Sequence, residues 1–340
     1  MGLNEKFFKS ASGGVVAADN FTPITYTGNG GTQSTNSLSN QSGTINFKPD
    51  FSWIKVRSTT NDHTLQNSIS GTSKFLRSNT TDAEGSNIEM VTSYNSNGFS
   101  LGPNALANQS SQTFVAWNWK AGGDAVLNED GTLDSQVSAN VDAGFSIVKW
   151  SPPNGAVTSN VGHGLDSAPE LILYKGINYV DNWYVYSAPM GLNKYLYLNE
   201  SNNVVSNANN GFTNVNSSTF TTNLANGNNL NILSYCFHSV DEYSKIGSYS
   251  GGQTLNTANQ VDFGFAPAFV LIKNTTDSGS QWVVFDNKRT NGYALYANKS
   301  NVEGNYTSAL LLSGQGLEFK SVNINVNRSG STYIYMAIAE

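Results

Sequence analysis

The chain is poor in the residues that most reactions use. Cys236 is its only cysteine, and His63, His163 and His238 are its only histidines. A single cysteine excludes an intrachain disulfide framework and any cysteine zinc cluster. No run of about 18 apolar residues occurs, so no membrane-spanning helix is expected. Charged residues fill 12% of the 340 positions, about half the usual globular share of roughly 25%. With 18 Lys and Arg against 24 Asp and Glu, the net charge is −6 and no basic stripe forms. A nucleic-acid partner is therefore not expected. The first twenty residues lack the apolar core of a signal peptide. Lys6 also stands where a myristoylation site needs Ser or Thr. Synthesis in a cytoplasm without an export signal is the expectation.

Asn, Ser, Thr and Gly take the place of charge. Exposed helix faces favour Glu, Lys, Arg and Ala, whereas short strands joined by turns favour this composition. The fold class read from it is all-β.

Internal similarity organises the chain. "FKPDFSWIK" (47–55), "SAPELILYK" (167–175) and "FAPAFVLIK" (265–273) are one segment written three times, with prolines at 49, 169 and 267. Before each lies an opening strand and turn: "ITYTGNGG", "IVKWSPPNG" and "IGSYSGG". After each come a middle element ("KFLRSNTT", "KYLYLNES", "YALYANKS") and a closing strand ("FVAWNWKA", "ILSYCFHS", "YIYMAIAE"). Val115, Trp117 and Trp119 match Leu233, Tyr235 and Phe237, then Ile334, Met336 and Ile338. Their alternation puts them on one sheet face. Residues 1–22 read as an N-terminal arm, and 23–122, 144–240 and 241–340 as three tandem antiparallel β-sandwiches of jelly-roll or lectin-like type. The insert 123–143 reads as a connector hairpin turning at "EDGT".

The glycines of "YTGNGGT" do not form a phosphate cradle. No helical period and no GK[ST] follow them, and the second repeat has "SPPNGA" there. They read as a hairpin turn. The three histidines occupy positions where the sister repeats lack histidine, which argues against a shared catalytic role; His63 falls near Trp183 and Trp282. No G-x-S-x-G elbow occurs. Asp50 and Glu170 align but Ala268 replaces them in the third repeat, so they read as strand-flanking groups and not as a glycosidase pair. Asp124, Asn128 and Asp130 complete no calcium loop. No catalytic, cofactor-binding or metal-binding residue is assigned. Lys55, Lys175 and Lys273 recur at a strand end, where they satisfy carbonyls or blunt an edge. Among the six tryptophans, Trp117 and Trp119 read as core, and so do Trp183 and Trp282, which alternate with apolar residues; Trp150, Trp183 and Trp282 are the alternative candidates for a sugar-stacking groove.

Taken together, "YTGNGGT", "FKPDFSWIKVRS", "NGFSLG", "TFVAWNWKAGG", "VGHGL…APELILYK" and "YCFHSV…YSKIGSYSGG" resemble a family of β-rich repeat proteins of tailed phages, chiefly of marine bacteria. The leading "KFFKSASGG" is similar to the Phe- and Gly-rich leader of such proteins, and the resemblance runs from about residue 6 to 340. It implies a virion structural protein without enzymatic role: a tail fibre, tail appendage or head decoration. Phe7, Phe8, Val15 and Val16 of the arm are the candidate virion anchor. The expected partners are other virion proteins and further copies of the chain, since such components follow particle symmetry. The alternatives are a receptor- or glycan-binding module that engages host surface glycan, and a glycan depolymerase.

Overall fold

Alternation along the strands decides how this chain layers. In the closing strand Thr113–Trp119, Val115, Trp117 and Trp119 fall in one core and Phe114 and Ala116 in another, all of them buried. The strand Phe51–Val56 does the same, with Phe51 and Trp53 on one side and Ile54 and Val56 on the other. A strand apolar on both faces must be covered on both. The sheets that hold these strands are therefore middle layers.

The computed structural model describes residues 14–35, 37–207, 211–225 and 227–340. They form an all-β protein of antiparallel sheets. Each repeat builds the same long sheet. The opening strands (Phe21–Thr27, Phe145–Trp150, Ser244–Ser250) pair with the closing strands (Thr113–Trp119, Ile232–Phe237, Thr332–Ala339). The closing strands pair in turn with the proline-segment strands (Phe51–Val56, Leu171–Gly176, Pro267–Asn274). A fourth strand follows in each: Thr64–Asn67, Trp183–Ser187 and Val283–Asp286.

Each repeat also carries a three-stranded sheet of constant order. Its central strands are Gly98–Leu101, Thr219–Thr222 and Gly316–Phe319. In the first repeat this small sheet supplies Val91, Phe99 and Leu101 to a core shared with Ile24, Ile54 and Phe114 of the long sheet. The second repeat has the equivalent core of Val148, Ile172, Phe220 and Cys236.

The other face of each long sheet turns inward to one core common to all three repeats. Phe51 and Trp117 meet Leu173 and Tyr235 there, together with Phe269 and Trp282. Phe51 stacks on Tyr235 with ring centroids 4.3 Å apart, and Trp119 meets Phe237 at 6.4 Å and Phe269 at 5.6 Å. Each such pair contributes about 0.5–1.5 kcal/mol beyond its buried area. The first and second repeats thus keep cores of their own between long and small sheet, and all three share this inner one as well.

Local elements differ little from the sequence reading. Phe21 and Thr22 belong to the first strand and not to an arm. Val126–Asn128 and Ser135–Asn140 of the insert pair as a hairpin and extend the second long sheet at its edge. In "TGNGG", Asn29 Oδ1 accepts from Gly31 N–H at 2.8 Å and Gly30 has φ +69. A Cβ on Gly28 would sit 2.2 Å from the Gln109 carbonyl oxygen, so that close approach requires glycine.

Candidate functional site: three seams and the groove where the chain begins

The repeats meet at three seams, and equivalent positions make equivalent hydrogen bonds at each. Trp183 Nε1 of the second repeat donates to the carbonyl of Arg77 in the first at 2.8 Å. Trp282 Nε1 of the third donates to Tyr197 in the second at 2.8 Å. His63 of the first closes the cycle on Tyr296 of the third at 2.9 Å. Arg77, Tyr197 and Tyr296 are the matched ends of "KFLR", "KYLY" and "YALY".

Main-chain bonds repeat the cycle in both directions. The amides of Asp181, Gly279 and Asn61 donate to the carbonyls of Thr81, Ser201 and Ser300. In return Glu84, Val204 and Glu303 donate to Ile177, Thr275 and Arg57. A cyclic set of this kind places the first repeat against the third as it places second against first. The chain closes on itself as a three-part ring.

His63 shows how the first repeat keeps this geometry with a smaller ring. Trp53 Nε1, which can only donate, bonds His63 Nδ1 at 2.8 Å. That assignment leaves Nε2 to carry the proton donated to Tyr296. Trp53 stands where the sister repeats have Leu173 and Leu271. One repeat thus pairs Trp with His, and the other two pair Leu with Trp. Burial, then repulsion from Lys55, lowers the His63 pKa to about 3.

The seam between the first and third repeats lacks a direct chain connection, and a buried ion network crosses it. Asp286 accepts from Trp117 Nε1 at 2.9 Å and from Arg289 Nε at 2.6 Å. Arg289 reaches Glu303 at 2.8 Å, and Glu303 reaches Arg57 at 2.9 Å. The second repeat uses a neutral version, Tyr235 with Asn67 at 3.2 Å. At the third seam the aligned residues are Met336 and Ser187, and the buried Ser187 hydroxyl makes no hydrogen bond.

The recurring lysines are wholly buried, each ammonium turned to main-chain carbonyls: Val56 for Lys55, Thr81 and Asp181 for Lys175, Ser280 for Lys273. They satisfy carbonyls inside the body and blunt no edge. Burial lowers their pKa values to about 8, 8 and 7.

Three sequence expectations need correction. Trp150, Trp183 and Trp282 are 2%, 0% and 1% exposed, so no sugar ring can stack on them. The neighbouring repeat covers Trp183 and Trp282, and Phe220 of the small sheet packs on Trp150. Val15 packs on the shared core of its own chain, while Val16 is 59% exposed. Phe7 and Phe8 lie outside the described residues.

Other candidates resolve into structure. Asp50 Oδ2 accepts from Ala121 N–H, and Glu170 Oε2 from Ser239 N–H, each holding the exit of its closing strand. His163 uses both ring nitrogens on main-chain atoms of Leu165 and Asn216. Cys236 is sealed in the second core, where burial pushes its thiol far above the usual range. Among the described residues, no three His, Cys, Asp or Glu side chains converge to hold a metal ion. No described helix is long and apolar enough to cross a membrane.

A polar groove of about 970 Å³ opens at one end of the ring. Val15, Lys120, Asn140, Asp166 and His238 line it. The start of the described chain and both inter-repeat crossings thus meet there. The turns after the opening strands lie at the opposite end, because all three opening strands run the same way.

A ring of three β repeats around one core defines the class of this protein. The chain belongs to the family described as Domain of unknown function (DUF7483), which matches residues 16–340. No curated protein and no solved structure matches it.

Proposed function

We propose that the chain is a non-enzymatic structural protein of the exterior of a tailed-phage particle, attached through its N-terminal segment. One observation carries this reading. The start of the described chain and both repeat crossings gather at one end of a closed body, around the groove of Val15, Lys120 and His238. That end suits attachment to another virion protein, and the turn-bearing end then faces outward. The titratable groups typical of catalysis support the same reading. His63 and His163 are bonded on both nitrogens, and Cys236 and the recurring lysines are sealed in the interior.

Particle symmetry suggested further copies of the chain. The three seams lie within one polypeptide, so further copies would associate through other surfaces. Deleting residues 1–13 leaves every described strand intact and tests the attachment. Particles assembled with the truncated chain should lack it on immunoblot; incorporation at the normal level would refute the arm as anchor.

A further inference from the structure

The repeats serve as controls for one another, because a residue needed by the shared architecture should recur. One cluster in the second repeat does not. Tyr174, Tyr184, Tyr195 and Tyr197 stand where the first repeat has Ile54, Thr64, Phe75 and Arg77. The third repeat has Ile272, Val283, Ala294 and Tyr296. The four rings pack edge to face, with Tyr184 5.7 Å from Tyr174 and 5.3 Å from both Tyr195 and Tyr197. A fifth, Tyr179, lies over Gly176, where a Cβ would come within 2.3 Å of its ring. The sister repeats hold Val56 and Asn274 at that point, so the glycine is specific to the repeat that carries the tyrosine.

Polar chemistry converges on the same spot. The Asp181 carboxylate accepts from the Tyr184 hydroxyl at 3.3 Å. The Tyr174 hydroxyl is sealed from solvent, and its neighbouring polar group is the Tyr179 hydroxyl, at less than ideal hydrogen-bond geometry. Burial, with the Asp181 charge as a lesser contribution, holds the phenols of Tyr179 and Tyr184 protonated, so they remain donors. Tyr179, Tyr184 and Tyr197 are half-buried, and Val180 beside them is 71% exposed.

We propose that this tyrosine cluster around Asp181 is a binding site for a neutral saccharide. Aromatic rings cover the C–H faces of a pyranose, while a carboxylate and phenols exchange hydrogen bonds with its hydroxyls. The nearby cation, Lys175, is turned onto the carbonyls of Thr81 and Asp181, so it does not favour an anionic sugar or a phosphate. The loop that bears Tyr179 and Asp181 adjoins Asn229 and Asn154 at the turn-bearing end, away from the groove. The site depends on the exterior reading only for the direction it faces.

The full chain is applied to an array of bacterial surface oligosaccharides, neutral and acidic, beside Tyr184→Val and Tyr197→Arg. These variants carry residues that sister repeats already hold, and circular dichroism checks their fold. Tyr296→Arg, at the matching place in the third repeat, is the control. Wild type and the control should retain the same neutral oligosaccharides, and calorimetry with the best of them should show at least tenfold weaker binding in Tyr184→Val. No retention by wild type, retention of acidic sugars only, or undiminished binding by Tyr184→Val would overturn the site. A protein partner lost in Tyr184→Val, with no saccharide retained, would overturn it in favour of a protein interface. None of these results bears on particle incorporation, which tests the attachment separately.

Discussion

Exchanging the first repeat's Trp53–His63 pair for the Leu–Trp pair of its sisters tests the ring through its energetics. Trp53→Leu alone removes most of an indole that is 2% exposed and strands the buried Nδ1 of His63. Packing loss of about 2–3 kcal/mol and an unsatisfied acceptor costing about 1–3 kcal/mol should destabilise the protein by about 4 kcal/mol. His63→Trp alone retains an N–H for the Tyr296 carbonyl but overfills the site and strands the Trp53 indole. Its cost should be about 3 kcal/mol. The double variant recreates Leu173–Trp183 and Leu271–Trp282, so it should lie within about 2 kcal/mol of wild type. The coupling is then about 5 kcal/mol, above the usual 0.5–3 for residues in contact. Urea denaturation followed by circular dichroism measures all four proteins. For a chain of this length, 1 kcal/mol moves Tm by about 1.4 °C, so the single variants should fall several degrees and the double recover most of the loss. Additive losses would refute the reasoning. The double variant should also be less sensitive to acid. His63 has a folded pKa of about 3, below its ordinary 6.5, so its contribution is present above pH 6.5 and is lost as pH falls below it. Removing His63 removes that part of the loss between pH 6.5 and 5 and leaves the part due to buried His163.

Three further outcomes follow from the interior. Lys273 has a folded pKa of about 7 against an ordinary 10.5, so stability should rise as pH climbs from 7 to 9. Lys273→Met should reduce that rise by up to about 3 kcal/mol in urea midpoints taken across the range. Arg289→Ala strands the buried Asp286 carboxylate and should cost about 3–5 kcal/mol; a urea curve like that of wild type would show the ion network to be unnecessary. Ser187→Ala removes a buried hydroxyl with no partner and should be neutral or stabilising by about 1 kcal/mol in the same assay.

The sequence made the repeats readable and left their assembly hidden. Period-2 alternation and the recurring prolines located the strands, because those signals are local. The lysines at 55, 175 and 273 were visible as a pattern, but their burial depends on carbonyls that the turns bring to them. Trp183 and Trp282 are recurrent and alternate with apolar residues, which reads as core, but the sequence also leaves a groove open to them. The neighbouring repeat covers them, and no local pattern encodes that surface. His63 stood out as a departure from tryptophan. Its compensation by Trp53 emerges only when strand pairing sets Trp53 beside Leu65, and Leu173 beside Val185. The seams rest largely on main-chain groups of loops, which carry no side-chain signature. The tyrosine cluster was legible in principle, as an excess of tyrosine at aligned positions of the second repeat.

Amide hydrogen exchange by NMR tests the closed ring most directly. The amides of Asn61, Glu84, Asp181, Val204, Gly279 and Glu303 lie outside long strands and donate only across seams. If the three repeats share one core, these six should exchange as slowly as the central strands, through global opening. Exchange at the rate of open loops, with the strand interiors still protected, would mean that the repeats stand apart.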